Sequence, residues 1–363
     1  MATNTHIQQR GGLRRRTSTI LVLTLSIAGG ALAGMTAIPT KPSAAAVPHA
    51  SASGRSYSYG WPIKPFDRQH PIRGYFGDPR TVFAGRASAH ALLRGGGDFS
   101  FHRGVDIAAP DGTFVYPVAS GVVTRAESEV IEVDSGGGTL FEYWHLVRDV
   151  SIGDHVTRNQ TVLGRVMPGA HHVHLSELRG GRLVNPLAPG HLGPYDDATA
   201  PAVAAITFRR RDDGPTVLPE CVRGQVELVA EASDTPAVPV PGQWHGLPVS
   251  PAALSYRVDA AKTGRAVVPE TTAMDVRDVL PTSGQLWRTY VRGTHMNMPQ
   301  FGRRRFWYQP GVYLYKLGVT PLDTRRLRDG VYRIRVTAMD TAGNSGSATQ
   351  TFTVDNRGPR ACS

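Results

Sequence analysis

Histidines are concentrated in one part of this 363-residue chain. Seven of the 13 histidines lie between residues 102 and 191. Histidine is the commonest metal ligand in proteins and a frequent general acid or base. This window is therefore the part of the sequence that is richest in groups able to do chemistry.

The first candidate pair is His102 and Asp106. In a straight strand, side chains four residues apart share a face but lie about 13 Å apart. One zinc ion needs each ligand atom at about 2.0–2.2 Å. The chain must therefore bend between the two residues, and Gly104 can adopt the conformation that a bend requires. Alone, a His-x-x-x-Asp pattern is a weak signal of a metal site.

The second candidate pair is His172 and His174, which lie in surroundings typical of a strand. Two residues apart on a strand, their rings share one face at a separation of about 7 Å. One ring can bind a metal while the other lies beside the reacting water. The same alternation turns His171 to the opposite face. Glu177, a rival general base, also lies at an odd offset from His174.

The third candidate is His145, within the apolar run 143–146. A lone histidine in such a run is more often a core residue with satisfied hydrogen bonds. Together, the three elements favour a catalytic zinc site, because two histidines and one aspartate leave a fourth position open. The chain has no His-Glu-x-x-His motif. The two histidines that are not ligands are therefore the candidate base and oxyanion stabiliser.

The elements that must position these residues are predicted to be strands. With 40 glycines and 27 prolines the chain is rich in turn residues, and short apolar runs recur from residue 61 to about residue 188. A second series of such runs follows residue 204, where the strand spacing predicts a β-sandwich. We expect an all-β protein, with linkers at 47–60 and 193–203. The region 259–312 fits the strand series badly and is interpreted as a long insertion.

The N-terminal residues 1–46 have the pattern of an export signal. Three arginines at 14–16 precede an uncharged stretch, and Ser43-Ala44-Ala45-Ala46 resembles a cleavage site. An uncleaved membrane anchor is the alternative. Both place the rest of the chain outside the cell. Five basic residues and no acid lie in this segment, so the remainder carries +6 of the total +11. That charge suits anionic cell-wall polymers, and no recognisable nucleic-acid motif accompanies it.

Residues 61–188 resemble the lysostaphin-type (LytM-like) zinc endopeptidases, which cut peptidoglycan cross-bridges. The resemblance rests on matching stretches in the family's order, with Gly164 between the last two: Trp61-Pro62-Ile63, Tyr75-Phe76-Gly77, the run 101–110, Gly112-Thr113, the run 119–123, Tyr143-Trp144-His145-Leu146, the run 153–156, and His172-Val173-His174.

The resemblance implies a compact antiparallel β domain with one zinc per chain in a groove. It implies zinc ligands at His102, Asp106 and His174. It also implies catalytic roles for His145 and His172, in orienting and deprotonating the water and stabilising the oxyanion. We therefore predict a zinc metalloendopeptidase domain at residues 61–192.

The later part of the chain, residues 327–354, resembles bacterial immunoglobulin-like modules. We predict an immunoglobulin-like β-sandwich with the long insertion over residues 204–356, and a tail at 357–363. A wall-binding module and a passive spacer remain alternative roles. The two cysteines, Cys221 and Cys362, could form a disulfide in an oxidising exterior, and two free thiols are the alternative.

The sequence therefore predicts a secreted, wall-associated zinc metalloendopeptidase that hydrolyses peptide cross-links of peptidoglycan. A membrane is a partner only if the N-terminal segment is uncleaved, and nucleic acid is not expected. Activity is expected to decline as the pH falls through about 6.5, where histidine becomes charged. Two alternatives remain: an inactive family member that binds peptidoglycan or activates another wall hydrolase, and a surface adhesin whose working part is the sandwich.

Overall fold

Short apolar segments separated by glycine and proline form strands throughout the described chain. The structure is a computed structural model that describes residues 57–82, 98–127, 129–211, 214–281, 286–297 and 310–357. The predicted export segment, 1–46, and linker residues 47–56 lie outside these ranges. Within them, no helix has the length and apolar character needed to cross a membrane. The predicted all-β fold class is confirmed.

The first half of the described chain is built on one large antiparallel sheet. Its strands are β1 (Ile72–Gly74), β2 (Pro79–Val82), β3 (Asp98–Phe101), β4 (Val105–Ala108), β5 (Phe114–Val115), β6 (Gly121–Glu127), β7 (Val130–Asp134), β8 (Thr139–Trp144), β9 (Leu146–Arg148), β10 (His155–Val156), β11 (Gly164–Val166), β12 (His172–Arg179) and β13 (Arg182–Val184). The large sheet has the order β1-β4-β12-β8-β7-β6-β10, with β13 paired to β12. Strands β5, β11 and β9 form a small sheet, and β2 and β3 form a hairpin.

Strand β12 lies in this sheet between β4 and β8, and its register places the candidate residues. His174 on β12 lies opposite Asp106 on β4 and opposite Trp144 on β8. Directly opposite residues of antiparallel strands project to the same face. His172, two residues earlier on β12, projects to that face as well. Strand pairing therefore brings three of the predicted residues together.

The other face of the same strands forms the hydrophobic core. Val105 and Ile107 on β4, and Val173 and Leu175 on β12, are fully buried in one cluster. A slip of one residue in the pairing would move the histidines into this core and these apolar side chains out of it. The apolar positions therefore fix the register on which the candidate site depends.

The packed region begins before the predicted domain boundary. Tyr59, which the sequence assigns to the linker, is 3% exposed. Its hydroxyl donates a hydrogen bond to Glu177, and its backbone forms a bridge with Leu192. Residues 57–60 are therefore part of the folded structure.

The second half consists of two sheets around one hydrophobic cluster. Its elements are β14 (Ala202–Arg210), β15 (Thr216–Val217), β16 (Gln225–Ser233), β17 (Ala253–Ala260), β18 (Ala266–Asp275), α1 (Leu286–Thr289), β19 (Leu314–Lys316), β20 (Leu322–Asp323), β21 (Gly330–Met339) and β22 (Ser345–Val354), with 3-10 helices at Pro219–Cys221, Gly242–Trp244 and Thr324–Arg326. One sheet has the order β15-β14-β16-β19, with β20 paired to β16, and the other has the order β18-β17-β21-β22. The immunoglobulin-like identity of this half stays a prediction.

Two predictions for the second half, the long insertion and the disulfide, can be compared with the structure. Part of the region 259–312, which the sequence set apart as a long insertion, is strand β18, and it pairs with β17 along most of its length. Strand β18 lies at the edge of its sheet, where polar side chains are tolerated, so its mixed polar sequence does not have the pattern of a strand. Cys221 is bonded in a disulfide, and the other cysteine, Cys362, lies outside the described residues.

The two halves share a packed boundary. Phe76 and Phe101 of the first half belong to the hydrophobic cluster of the second. The hydroxyl of Tyr290 donates to the backbone oxygen of Gly77 at 3.0 Å. All the described residues fall in one compact unit of the chain. The second half is therefore in a position to shape the surroundings of the candidate site.

Candidate metal centre

Three side chains from distant parts of the chain converge on one point. Nε2 of His102 lies 3.1 Å from Oδ1 of Asp106 and 2.8 Å from Nδ1 of His174. That Nδ1 lies 3.0 Å from the same Oδ1. Four ligands around a tetrahedral zinc ion, each at about 2.0–2.2 Å, are about 3.3–3.6 Å from one another. The triangle therefore needs only a small expansion to hold such an ion.

The hydrogen bonding of His102 leaves a lone pair inside this triangle. Its Nδ1 lies 2.7 Å from the backbone oxygen of Tyr75, which can only accept, so Nδ1 carries the proton. Burial lowers the pKa of His102 to about 3, and the positive charge of Arg80 acts in the same direction. The ring is therefore neutral, and its unprotonated Nε2 faces a carboxylate oxygen. A cation between these two acceptors relieves their repulsion, so the donor set fits zinc.

The hydrogen bonding of His174 has the same consequence. Its Nε2 lies 2.9 Å from Oγ of Ser176, a hydroxyl that can accept a hydrogen bond from the ring N–H. Nδ1 is then left free to bind a metal. Histidine ligands of metals commonly donate their second N–H to such a partner, which fixes the ring orientation.

The bend predicted between His102 and Asp106 is present, and the physical role of Gly104 differs from the expected one. His102 follows β3, and Asp106 is the second residue of β4. Gly104 has no positive φ, so conformational freedom is not the requirement. A Cβ at this position would lie 2.7 Å from the carbonyl carbon of Leu175 and 2.9 Å from Nε2 of His174. Glycine is needed because β12 passes directly against the turn.

Asp106 is held ionised by its neighbours although it is buried. Burial by itself raises the pKa of this carboxyl, but the Arg80 guanidinium, together with His102 and His172, holds it well below its usual range. Arg80 pairs with Oδ2 of Asp106, which leaves Oδ1 for the histidine triangle. Arg80 therefore divides the carboxylate into one oxygen for an ion pair and one for a metal.

His145 and His172, the predicted catalytic residues, lie together beside the triangle. Their ring centroids are 4.6 Å apart. Nδ1 of His172 lies 2.7 Å from the backbone oxygen of Ala170, which only accepts, and 2.7 Å from Nη2 of Arg73, which only donates, so Nδ1 bonds to one of them in either tautomer while Nε2 is directed towards the triangle. That Nε2 lies 3.5 Å from Oδ1 of Asp106. Burial lowers the pKa of His172 to about 4, and burial also lowers that of His145.

The environment of His145 orients its ring. Nδ1 of His145 lies 3.1 Å from a carboxylate oxygen of Glu129, and a carboxylate can only accept, so Nδ1 carries the proton. The backbone of His145 has φ of 69°, an uncommon conformation for a residue other than glycine. This strained position, between β8 and β9, turns the ring out of the apolar run. His145 therefore does not have the surroundings expected of a core histidine in an apolar run.

The five predicted residues are therefore brought together, and the two excluded residues are not. His171 has φ of 55°, is exposed, and pairs through Nδ1 with Asp111 at 3.1 Å. Glu177 is fully buried on the other face of β12, where Tyr59, His191 and Arg179 contact its carboxylate. Glu177 lies where the alternation of strand side chains places it, whereas His171 precedes β12 and has a positive φ, so alternation does not describe its position.

The candidate site lies in a groove of about 610 Å³. The groove is lined by Arg73, Arg80, Ser100, Phe101, His102, Arg103, Asp106, Glu142, Trp144, His145, His172, His174, Ser176 and Met296. Apart from the five predicted site residues, these residues were not assigned to the site from the sequence. Met296 comes from the second half of the chain. Nothing in the local sequence around Arg73 and Arg80 distinguishes them from surface arginines, since only pairing of β1 with β4 and folding of the β2–β3 hairpin bring them to the site.

One protein-family model matches part of the first half. Residues 100–186 match Peptidase family M23, just under a quarter of the chain. The chain therefore carries an M23 peptidase domain over these residues, which lie inside the predicted boundaries 61–192. No curated protein matches the chain.

Several solved structures are similar to part of the chain. A chain of the SpoIIQ–SpoIIIAH pore-forming complex is 24% identical over 36% of this chain and 89% of its own, with a TM-score of 0.27. Helicobacter pylori Csd3 is 21% identical over 39% of this chain and 37% of its own, with a TM-score of 0.28. A mutant catalytic domain of the prophage-encoded M23 protein EnpA from Enterococcus faecalis is 23% identical over 37% of this chain and 96% of its own, with a TM-score of 0.24.

Proposed function

We propose that the protein is an exported zinc metalloendopeptidase that hydrolyses peptide cross-links of bacterial peptidoglycan. The observation that carries the proposal is the convergence of His102, Asp106 and His174, whose donor atoms lie within 3.1 Å of one another. The M23 match over residues 100–186 supports it, because that family is zinc-dependent and typically hydrolyses peptidoglycan.

The metal in this proposal is one zinc ion held by His102, Asp106 and His174. Bound there, zinc would act as a Lewis acid that polarises a peptide carbonyl and lowers the pKa of water to about 7. The chain contributes three donors already oriented by Tyr75 and Ser176, so little reorganisation is needed on binding.

His145 and His172 supply the acid–base chemistry. In the tautomer whose Nδ1 donates to Ala170, Nε2 of His172 can accept a proton from water, and once protonated it can donate a hydrogen bond to a developing oxyanion. Glu129 holds His145 in one tautomer and stabilises its charged form. Burial lowers the pKa of both rings and so favours their uncharged forms. Two neutral rings 4.6 Å apart therefore provide a base at this site, and a ring that has taken up the proton can then donate to the oxyanion.

Export and wall association are part of the proposal. The arginine-led apolar segment within residues 1–46 and its small-residue site support export. The proposed partners are peptide cross-links of peptidoglycan and, through the +6 charge of residues 47–363, anionic wall polymers. A membrane is a partner only if the N-terminal segment stays attached.

A second candidate function is a non-catalytic relative that binds peptidoglycan. The ion pair of Arg80 with Asp106 favours it, because a guanidinium that occupies one oxygen of the carboxylate places positive charge near the metal position. In the catalytic proposal the same pair orients Oδ1. Turnover separates the two functions.

The test uses the mature protein, with zinc content measured by elemental mass spectrometry and released peptidoglycan fragments analysed by mass spectrometry. We expect about one zinc per chain, and loss of both zinc and fragment release in His102→Ala and His174→Ala. His155→Ala is the matched control, because His155 is exposed and outside the groove. Zinc retained at wild-type affinity in His174→Ala contradicts the ligand assignment. Wall binding without fragments in zinc-loaded protein favours the second function.

A further inference from the structure

One side of the groove contains an arginine with too few partners for its burial. Arg73 lies on β1, lines the groove and is partly buried, with its Nε and Nη1 atoms buried. Its Nη2 lies 2.7 Å from Nδ1 and 3.3 Å from Nε2 of His172. Among the described residues, none accepts a hydrogen bond from its Nε or Nη1. Burial lowers the pKa of Arg73 to about 10, so it is still charged at neutral pH.

The position of Arg73 is set by the second half of the chain. Trp244 ends the 3-10 helix Gly242–Trp244, is 8% exposed and packs with Val240 and Leu247 against Ala108 of the first half. The Cζ atom of Arg73 lies 4.2 Å from the centre of the Trp244 ring. This cation–π contact covers one face of the guanidinium and holds it beside His172.

The charges around the groove leave Arg73 without a carboxylate of its own. Asp106 is engaged by Arg80, and the buried Nε of Arg80 also lacks an acceptor within the described part of the chain. Glu142, the other acidic residue of the groove, receives the Trp144 indole N–H at 3.4 Å. A buried guanidinium with unmet donors favours a planar anion, because a carboxylate matches its fork of N–H groups.

We propose that Arg73, held by Trp244, forms a subsite for a carboxylate of the peptide substrate, next to the proposed scissile position. The proposal rests on the proposed peptidase function and names its substrate class: peptides with a free carboxylate close to the bond that is cut. Arg73 lies beside His172, so a carboxylate bound there places the neighbouring peptide group over the metal triangle. The carboxylate is either the C-terminal α-carboxylate or that of an acidic side chain.

The test measures binding to the zinc-free full chain, so it does not depend on turnover or on carboxylate binding to metal. Three probes are titrated by ligand-observed NMR: N-acetyl-tetraalanine with a free C-terminus, its C-terminal amide, and N-acetyl-Ala-Glu-Ala-Ala amide. We expect at least one carboxylate probe to bind about tenfold or more tightly than the neutral amide. The probe that gains identifies which carboxylate source the subsite takes.

Variants connect this preference to Arg73. Arg73→Gln should bind all three probes equally, and Arg73→Lys should keep part of the preference, because lysine retains the charge without the planar fork. Trp244→Leu should weaken the preference. The matched control is Arg165→Gln, since Arg165 also stacks over an aromatic ring, at 5.6 Å from Phe114, but lies outside the groove.

The outcomes separate this proposal from the proposed function. Equal binding of all three probes to the wild-type chain overturns the subsite, as does a preference that persists in folded Arg73→Gln or disappears in Arg165→Gln. Peptidoglycan hydrolysis without a carboxylate preference leaves the peptidase function intact and removes only the subsite. A carboxylate preference without zinc binding or hydrolysis supports the subsite and contradicts the peptidase function.

Discussion

Gly104→Ala tests whether close packing of the turn against β12 builds the metal site. An alanine Cβ would lie 2.7 Å from the carbonyl carbon of Leu175, whereas ordinary contact begins at 3.4 Å. The strand or the turn must therefore move by at least about 0.7 Å, because the carbonyl oxygen of Leu175 lies closer still and backbone atoms have no rotamer to change. His174 follows that movement, because it is the residue next to Leu175.

The expected effects follow from this displacement. Metal sites tolerate errors of about 0.2 Å in ligand distances, so a shift of about 0.7 Å should lower zinc affinity by at least about tenfold. Overpacking of this kind should also lower the free energy of unfolding by about 1–3 kcal/mol. Both quantities are measured on purified protein, the first by competition with a chromophoric zinc chelator and the second by denaturant unfolding of zinc-free protein.

Gly112→Ala is the control for this experiment. Gly112 lies in the same domain with φ of 82°, and a Cβ there meets nothing within 4 Å. Alanine should therefore cost about 1–2 kcal/mol through backbone strain alone and leave zinc affinity unchanged. The reasoning fails if Gly104→Ala binds zinc as tightly as wild type, or if both variants lose zinc equally.

Two further predictions concern other parts of the peptidase domain. Glu177→Gln should keep zinc content and turnover but lose about 3 kcal/mol of stability, because Tyr59, His191 and Arg179 lose a shared buried anion. Calorimetry together with a zinc measurement checks this prediction. Loss of turnover at unchanged stability would instead indicate that Glu177 acts as a base. In zinc-free protein, the pKa of His172 is about 4, below the value of about 6.5 in the unfolded chain, so the unfolded state binds more protons and stability should fall as the pH drops from about 6.5 towards 4. Denaturant unfolding at several pH values should show a shallower fall for His172→Gln than for wild type, and parallel curves would contradict the assignment.

Burial also changes the expectation drawn from sequence for activity at low pH. The sequence placed the decline near pH 6.5, where an ordinary histidine becomes charged. The pKa values of His102 and His172 are lowered to about 3 and about 4, because the folded chain removes both rings from water. We therefore expect protonation of these two rings to inactivate the protein only below pH 6.5.

Several strands of both halves could be predicted because they are short apolar or alternating runs bounded by turn residues. Strand β21, Gly330–Met339, alternates buried and exposed side chains along most of its length. Strand β18, Ala266–Asp275, could not be recognised because most of its side chains are partly or fully exposed at a sheet edge. Backbone pairing with β17 stabilises β18 as a strand, and this pairing cannot be read from the composition of β18.

The sequence by itself determined which residues could bind a metal and which face of β12 they would occupy. Spacing is a local property, and the two-residue period of a strand is enough to place His172 and His174 on one face and Glu177 on the other. The sequence also determined the need for a bend between His102 and Asp106, since a straight strand holds those side chains too far apart.

Only the tertiary structure decided what surrounds these residues. Arg73 and Arg80 reach the site through strand pairing, and Trp244 and Met296 reach it through contact between the two halves. The lowered pKa values depend on burial by residues far away in the chain. Such effects follow from through-space distance and exclusion of water, and neither is encoded in the spacing of residues along the sequence.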